Sequence, residues 1–298
     1  MRVLVAGSSG LIGTALCRAL GTAGHQVERL VRSEPGSDDE IFWDPEAGVL
    51  DATALAGIEA VVHLGGRSIA GGRWTAQVKW DLRHSRVQTT QLLAGVLAGL
   101  AAPPRVFICA SAIGIYGNRG DEELREESSA GAGFLAELGQ AWESASAAAA
   151  DAGIRVVHAR FGIALSREGG ALAKMLLPFR LGVGGRLGNG RQYFSWIALE
   201  DAIAMLLFAM NNDDLHGPVN VTAPAPVTNA ELTRALGRAL RRPTIFPLPA
   251  FVAKILLGEL AEEGLLASQR VVPQRLLDAG FEFSYPEIDG ALRRALEV

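Results

Sequence analysis

The chain has 298 residues, of which 49% are hydrophobic and 35 are glycine, with 28 basic against 32 acidic side chains and a formal net charge of −4. That length holds one large domain or two unequal parts with a full core, and the composition excludes a disordered or collagen-like chain. The slight acidity, with no basic block interleaved with aromatics, argues against a nucleic-acid partner, and no apolar run reaches the ~18 residues of a membrane span. The N-terminus reads as a strand rather than a signal peptide, so a cytoplasmic protein with no membrane partner is expected. Cys17 and Cys109, the only cysteines, lie in apolar segments and read as core residues, not as a disulfide.

Taken in order, Val3, Leu4, Val5 and Ala6 form an unbroken aliphatic run, the pattern of a strand buried on both faces of a parallel sheet. Gly7, Gly10 and Gly13 follow at intervals of three. Such glycines permit a tight turn, close approach of backbone to a pyrophosphate, and close packing of the next helix, whose free N–H groups form an anion site. An ordinary strand-to-helix turn is the alternative. Leu11 to Thr22 has helical periodicity and is closed by Gly24. Gln26 to Arg32 predicts the second strand. An acid at its end would select the 2′-hydroxyl of NAD, but Val31 and Arg32 stand there, and a guanidinium with the Ser33 hydroxyl suits the 2′-phosphate of NADP(H).

Ala60 to Leu64 predicts a buried strand that ends in Gly65 and Gly66 beside the ligand. Its His63 reads as a core histidine, and the other histidines offer no metal-ligand spacing, so no metal is expected. Asp81 to Leu100 predicts a long helix stopped by Pro103 and Pro104, and Val106 to Ala110 another strand. The small and hydroxylic residues after it, from Ser111 through Tyr116, are placed to touch a nicotinamide or a substrate carbonyl. Asp121 to Glu127 reads as a solvated acidic loop, Phe134 to Asp151 as one Ala-rich helix, and Val156 to Arg160 as a strand. The glycine-dense stretch Gly169 to Gly190, with Lys174, Arg180 and Arg186, reads either as backbone wrapping a ligand or as a flexible loop. Asp201 to Met210 predicts an apolar helix and Val219 to Thr222 the last sheet strand. Thr228 with Glu231 three residues on is a capping box for a helix to Leu240, and two further helical stretches follow.

GSSGLIG at 7–13, HLGG at 63–66, SAIGIYG at 111–117 and the strand exit Arg160-Phe161-Gly162 together resemble the extended short-chain dehydrogenase/reductase superfamily. WDPEAG, SRVQTTQLL, GGALAKMLLPFRLGVGGRLGNGRQ, NVTAPAPVTNAEL and VVPQRLLDAGFEFSYPE narrow the resemblance, over essentially the whole chain, to the branch called epimerase family proteins, which are NAD-dependent epimerase/dehydratase-like. The resemblance implies an α/β fold: a Rossmann-type doubly wound parallel sheet with a smaller, mostly helical C-terminal part. It divides the chain into an NADP-binding domain over 1–165, rejoined by 199–225, and a substrate-binding part over 166–198 and 226–298. By position, Gly7, Ser9, Gly10, Leu11, Ile12 and Gly13 would hold the dinucleotide and Arg32 and Ser33 its 2′-phosphate. Leu64, Gly65, Ala110 and Arg160 would line it, and Arg86 stands where the superfamily commonly has an asparagine near the nicotinamide half.

One departure bears on chemistry. The superfamily's Tyr-x-x-x-Lys pair, whose lysine lowers the tyrosine pKa for proton transfer, has no counterpart here. Aligning the helix on Glu143 puts Leu135 and Gly139 at those positions, and none of Tyr116, Tyr193 and Tyr285 has a lysine four residues later. Ser111 resembles the superfamily's active-site serine, although counting back from Tyr116 places Ala112 in that slot. Two expectations follow. One is an NADP-dependent oxidoreductase or epimerase acting on a polar small molecule or nucleotide sugar, with Ser111 and Tyr116 as catalytic residues and Tyr193 as a further candidate. The other is a non-catalytic NADP(H)-binding sensor or regulatory partner. A homodimer, frequent in the superfamily, stays open.

Overall fold

The computed structural model describes residues 1–297. In chain order its principal elements are β1 (Arg2–Ala6), α1 (Leu11–Thr22), β2 (Gln26–Val31), β3 (Glu40–Asp44), β4 (Val49–Leu50), β5 (Ala60–His63), α2 (Ala76–Ala98) and β6 (Val106–Ala112). Then come α3 (Phe134–Ser144), α4 (Ala147–Asp151), β7 (Arg155–Phe161), α5 (Gly170–Arg180), α6 (Leu199–Asn211), β8 (Gly217–Val221), α7 (Asn229–Leu240), α8 (Ala250–Leu257), α9 (Gln274–Asp278) and α10 (Ile288–Leu296). The strands form one sheet in the order β8-β7-β6-β5-β1-β2-β3-β4, parallel throughout except for the β3–β4 pair. This is a Rossmann-type doubly wound sheet. From β1 the chain runs outward through β2 and β3, then crosses to β5 on the other side of β1, so the order reverses between β1 and β5. A crevice for ligand opens at the carboxyl ends of strands at such a reversal.

Strand alternation sorts the core into two layers. Val3, Val5, Val62 and Ile108 face α1 and α6 through Leu16, Leu20, Met205 and Leu206. Leu4, Ala6, Val61 and Phe107 face the opposite layer, where Leu93 and Leu97 of α2 and Ala149 of α4 meet them. Both faces are therefore dry, which is why β1, β5 and β6 read as continuous apolar runs. Cys17 and Cys109 are both free thiols, Cys109 buried in the second layer. The mostly helical C-terminal part joins the first layer through α7 and α10. The expected capping box is formed: Thr228 accepts from the Glu231 N–H while the Glu231 carboxylate accepts from the Thr228 N–H.

Three expectations need correction. α2 starts at Ala76, five residues before Asp81, because Thr75 caps it by accepting from the Val78 N–H. The Ala-rich helix over 134–151 is broken between α3 and α4, where the Ser146 hydroxyl donates to the Glu143 carbonyl at 2.8 Å and also meets His158. Half of the glycine-dense stretch is neither wrap nor loop but α5, whose Leu172, Leu176 and Phe179 bury one face.

Candidate functional site

The crevice is built first by the turn after β1. Gly7 has φ +81°, and a Cβ there would lie 2.8 Å from the Leu64 carbonyl carbon and the Gly65 nitrogen; at Gly13 it would lie 2.1 Å from the Gly7 carbonyl oxygen. These two glycines let the β5 exit and α1 close on the turn. Gly10 differs: its φ of −75° suits any residue, and its only neighbour within 4 Å is the Gly7 oxygen at 3.4 Å. Ser9 and Gly10 are exposed, Leu11 and Ile12 half-buried, and α1 begins with no side-chain cap, so its first N–H groups face the crevice unsatisfied.

At the end of β2, Arg32 and Ser33 are exposed. Arg29, three residues earlier, is ion-paired to Asp39 and Glu40, whereas Arg32 has no ion-pair partner among the described residues. The β5 exit contributes half-buried Leu64 and Gly65, and the Leu64 N–H donates to the Ala6 carbonyl at 2.8 Å, locking this exit to β1. His63, fully buried, contacts Thr89 at 3.1 Å through Nε2, while Nδ1 has no partner; burial lowers its pKa to about 4, so the ring is neutral. It is the core histidine expected.

Arg86 reaches under this exit from α2. Its guanidinium carbon lies 3.3 Å from where a Gly66 Cβ would be, sits over the Trp142 ring at 5.0 Å, and donates through Nη1 to the Leu82 carbonyl at 3.1 Å. It is 9% exposed and has no carboxylate partner among the described residues, and burial lowers its pKa to about 10. A buried guanidinium without a counter-ion is costly unless an anion arrives. The donor set from the α1 N-terminus, the open face of Gly10, Arg32 and Arg86 fits a dinucleotide phosphate chain.

Beyond β6 and β7 lies a buried polar chain. Ser111 Oγ donates to Glu143 Oε1 at 2.7 Å, and Arg160 grips the same carboxylate with Nε at 2.7 Å and Nη2 at 2.8 Å. Arg160 Nη1 donates to the Tyr116 hydroxyl at 2.9 Å and the Glu126 carbonyl at 3.1 Å, and the Tyr116 hydroxyl donates to Asn220 Oδ1 at 2.7 Å. The Asn220 amide group then reaches the Val272 carbonyl at 2.9 Å, joining the sheet to the C-terminal part. Burial opposes the Arg160 charge, but the Glu143 carboxylate outweighs it and the net pKa shift is upward. Burial raises the Tyr116 pKa against the pull of Arg160.

This geometry changes several assignments. Tyr116 is 0% exposed with its hydroxyl engaged on both sides, so it is a link in the core and has no opening to a substrate. Arg160 spends its donors inside the same chain rather than on a cofactor. Ala110 is buried, Ser111 is 2% exposed and turned to Glu143, and the next residue, Ala112, is half-buried on the other side of the strand. The acidic loop is not wholly solvated: Glu126 is buried, accepts from the Asn220 N–H at 3.0 Å, and has its pKa raised by burial. Sequence reading used Glu143 only as a landmark and missed Glu126 and Asn220. Their side-chain hydrogen-bond partners lie 17 to 149 residues away, beyond any local signal.

Leu135 and Gly139 on α3 face the Ile113–Tyr116 turn. A Gly114 Cβ would lie 3.2 Å from the Leu135 Cβ, and a Gly139 Cβ would lie 2.9 Å from that of Ile115. No longer side chain fits at Gly139 unless the turn moves.

The sequence profile of the NAD dependent epimerase/dehydratase family matches residues 3–222, and a profile described as a domain of unknown function (DUF1731) matches residues 248–295. An epimerase family protein of Mycobacterium leprae is 47% identical, over 98% of this chain and 95% of its own length. Human epimerase family protein SDR39U1 is 39% identical over 98% of this chain and 99% of its own length. A crystal structure of human SDR39U1 (isoform 2) with NADPH superposes with a TM-score of 0.91 at 36% identity, covering 100% of this chain and 99% of that one.

Proposed function

The chain belongs to the NAD-dependent epimerase/dehydratase family, and from that membership we propose that it binds NADP(H) in the β1–β5 crevice and acts as a reductase or epimerase on a small polar molecule. The similar human protein was crystallised with NADPH. The observation that carries the reading is Arg32, exposed and, among the described residues, without an ion-pair partner where an acid would select NAD. Its guanidinium and the Ser33 hydroxyl would hold the 2′-phosphate, the α1 N-terminus and Gly10 the pyrophosphate, and Arg86 a phosphate or ribose oxygen next to the β5 exit. When bound, the nicotinamide supplies or accepts hydride. Ser111, at the β6 strand end, is the hydroxyl left to handle a substrate proton: only its donor is engaged, by Glu143, whereas the Tyr116 hydroxyl both donates to Asn220 and accepts from Arg160, and Leu135 and Gly139 fill the positions of the missing Tyr-x-x-x-Lys pair.

The test is calorimetric titration of cofactor-stripped protein with NADPH and NADH. Arg32→Ala weakens NADPH binding by about 10- to 100-fold and leaves NADH nearly unchanged, because only NADPH carries the phosphate. Equal losses for both refute the assignment. The apolar packing of Leu135 and Gly139 favours a second reading, an NADP(H) binder that works as a sensor or regulatory partner without turnover. NADPH oxidation with a member of a broad carbonyl panel, or epimer formation from a nucleotide sugar in the presence of NADP+, abolished by Ser111→Ala at unchanged cofactor affinity, decides for the enzyme; neither reaction with any panel member decides for the binder.

A further inference from the structure

The charge of this chain is unevenly distributed. It is net −4 overall, yet residues 169–199 contain Lys174, Arg180, Arg186 and Arg191 and no acid, and residues 232–258 contain Arg234, Arg238, Arg241, Arg242 and Lys254 and no acid. The fold zips these two segments together. The Gly188 N–H donates to the Leu248 carbonyl and the Leu248 N–H to the Arg186 carbonyl, both at 2.9 Å, and a Gly185 Cβ would lie 2.0 Å from the Phe246 oxygen. Gly182 in turn approaches the Pro243 ring, at 3.8 Å from its would-be Cβ.

On the face so assembled, Leu177, Leu181, Ile245, Phe246, Phe251 and Ile255 are each more than half exposed. Single exposed apolar residues are ordinary, but a cluster drawn from α5, α8 and the strap joining α7 to α8 is not. Beside it Arg234, Arg238, Arg241 and Arg242 line an open depression of about 430 Å³. Arg238 is paired with Asp289 and Lys254 with Glu262, while Arg180, Arg186, Arg241 and Arg242 have no ion-pair partner among the described residues.

We propose that this face docks on an anionic lipid surface, with the aliphatic and phenylalanine side chains entering the acyl boundary and the arginines meeting lipid phosphates. Exposed apolar residues flanked on one side by unpaired arginines, on an otherwise acidic protein, suit a surface that lies on a membrane without spanning it. No helix among the described residues is long and apolar enough to cross one. The sequence expectation of no membrane partner considered spanning segments alone. A second copy of the chain is a poor occupant, because a two-fold contact would oppose two like-charged faces. The face borders the crevice: Arg73 Nη1 donates to the Ile255 carbonyl on α8 at 3.2 Å, and Lys174 of α5 donates to the Ala70 carbonyl, so the loop after β5 lies between the two helices.

The full chain is sedimented with vesicles of phosphatidylcholine alone and with vesicles carrying about 30% phosphatidylglycerol. The expected result is binding to the anionic vesicles, release by about 0.5 M salt, and at least about 10-fold weaker binding for Phe251→Glu/Ile255→Glu and for Arg241→Ala/Arg242→Ala. NADPH affinity, unchanged in both variants, reports that they fold and keeps this test separate from the cofactor reading. No binding to anionic vesicles, equal binding to both vesicle types, or wild-type binding by both variants overturns the proposal. So does a dimer in sedimentation velocity that Phe251→Glu/Ile255→Glu dissolves while vesicle binding is absent.

Discussion

Two of the three turn glycines serve the fold, the third is the one proposed to meet the ligand, and alanine substitutions separate the roles. At Gly13 an added methyl carbon would sit 2.1 Å from the Gly7 oxygen and 2.9 Å from the Ser8 Cα. Backbone on both sides must yield, and overpacking of this kind costs about 2 to 3 kcal/mol, or about 3 to 5 °C in Tm for a chain of this size. At Gly10 the same carbon would meet only the Gly7 oxygen, at 3.4 Å, with φ −75° and ψ 169° open to alanine. The gain from a stiffer unfolded chain, about 0.4 to 1 kcal/mol, is offset by the poorer N-cap, so Tm moves by no more than about 2 °C. The methyl group nevertheless occupies the surface that a pyrophosphate must approach, so NADPH affinity falls by about 10-fold or more. Differential scanning calorimetry and NADPH titration on Gly10→Ala and Gly13→Ala give both readouts. A Gly10→Ala protein that binds NADPH like wild type refutes the placement of the pyrophosphate on this turn, and a Gly13→Ala protein with wild-type Tm refutes the steric account.

Removing the counter-ion in the buried chain is expected to be severe. Glu143→Gln leaves Arg160 charged and unpaired beside Tyr116 and lowers stability by about 3 kcal/mol or more in urea unfolding, whereas Glu143→Gln with Arg160→Met restores much of it. Arg86→Met has the opposite profile, because the charge it removes has no carboxylate partner among the described residues: Tm holds or rises while NADPH affinity falls by about 10-fold. His63 sets an acid limb. Its folded pKa of about 4 lies below the ordinary 6.5, so between those values the unfolded chain takes up a proton that the folded chain refuses, and stability falls as pH falls, by about 3 kcal/mol in all. Urea midpoints measured from pH 7 to 4 lose that component of their slope in His63→Gln; an unchanged slope excludes His63 as its source. Thr228→Ala opens the α7 capping box and costs about 1 kcal/mol by the same assay.

Local pattern was enough for much of this molecule. The aliphatic run from Val3 to Ala6, the glycines at 7, 10 and 13, and the Thr228–Glu231 pair each encode their structure within a few residues, because strand burial, turn geometry and helix capping are short-range properties. The proposed role of Arg32 likewise rests on local pattern, on its place at a strand end and the lack of an acid there. What the sequence could not determine depends on which side chains meet after the sheet closes. Tyr116 reads as a strand-end catalytic residue beside Ser111, but the closing of β8 carries Asn220 onto its hydroxyl, and the β6–β7 register, which places Ser111 opposite Arg160, ties the serine to the same buried chain. Resemblance alone places Arg86 near the nicotinamide half, and only the fold shows it lying beneath Gly66, buried, with no carboxylate partner among the described residues. The basic apolar face, too, exists only because two segments separated by a helix and a strand are pinned edge to edge. Propensity and spacing act along the chain, whereas burial, charge pairing and steric exclusion act across it, and those three decide which candidate residues face a ligand and which hold the core.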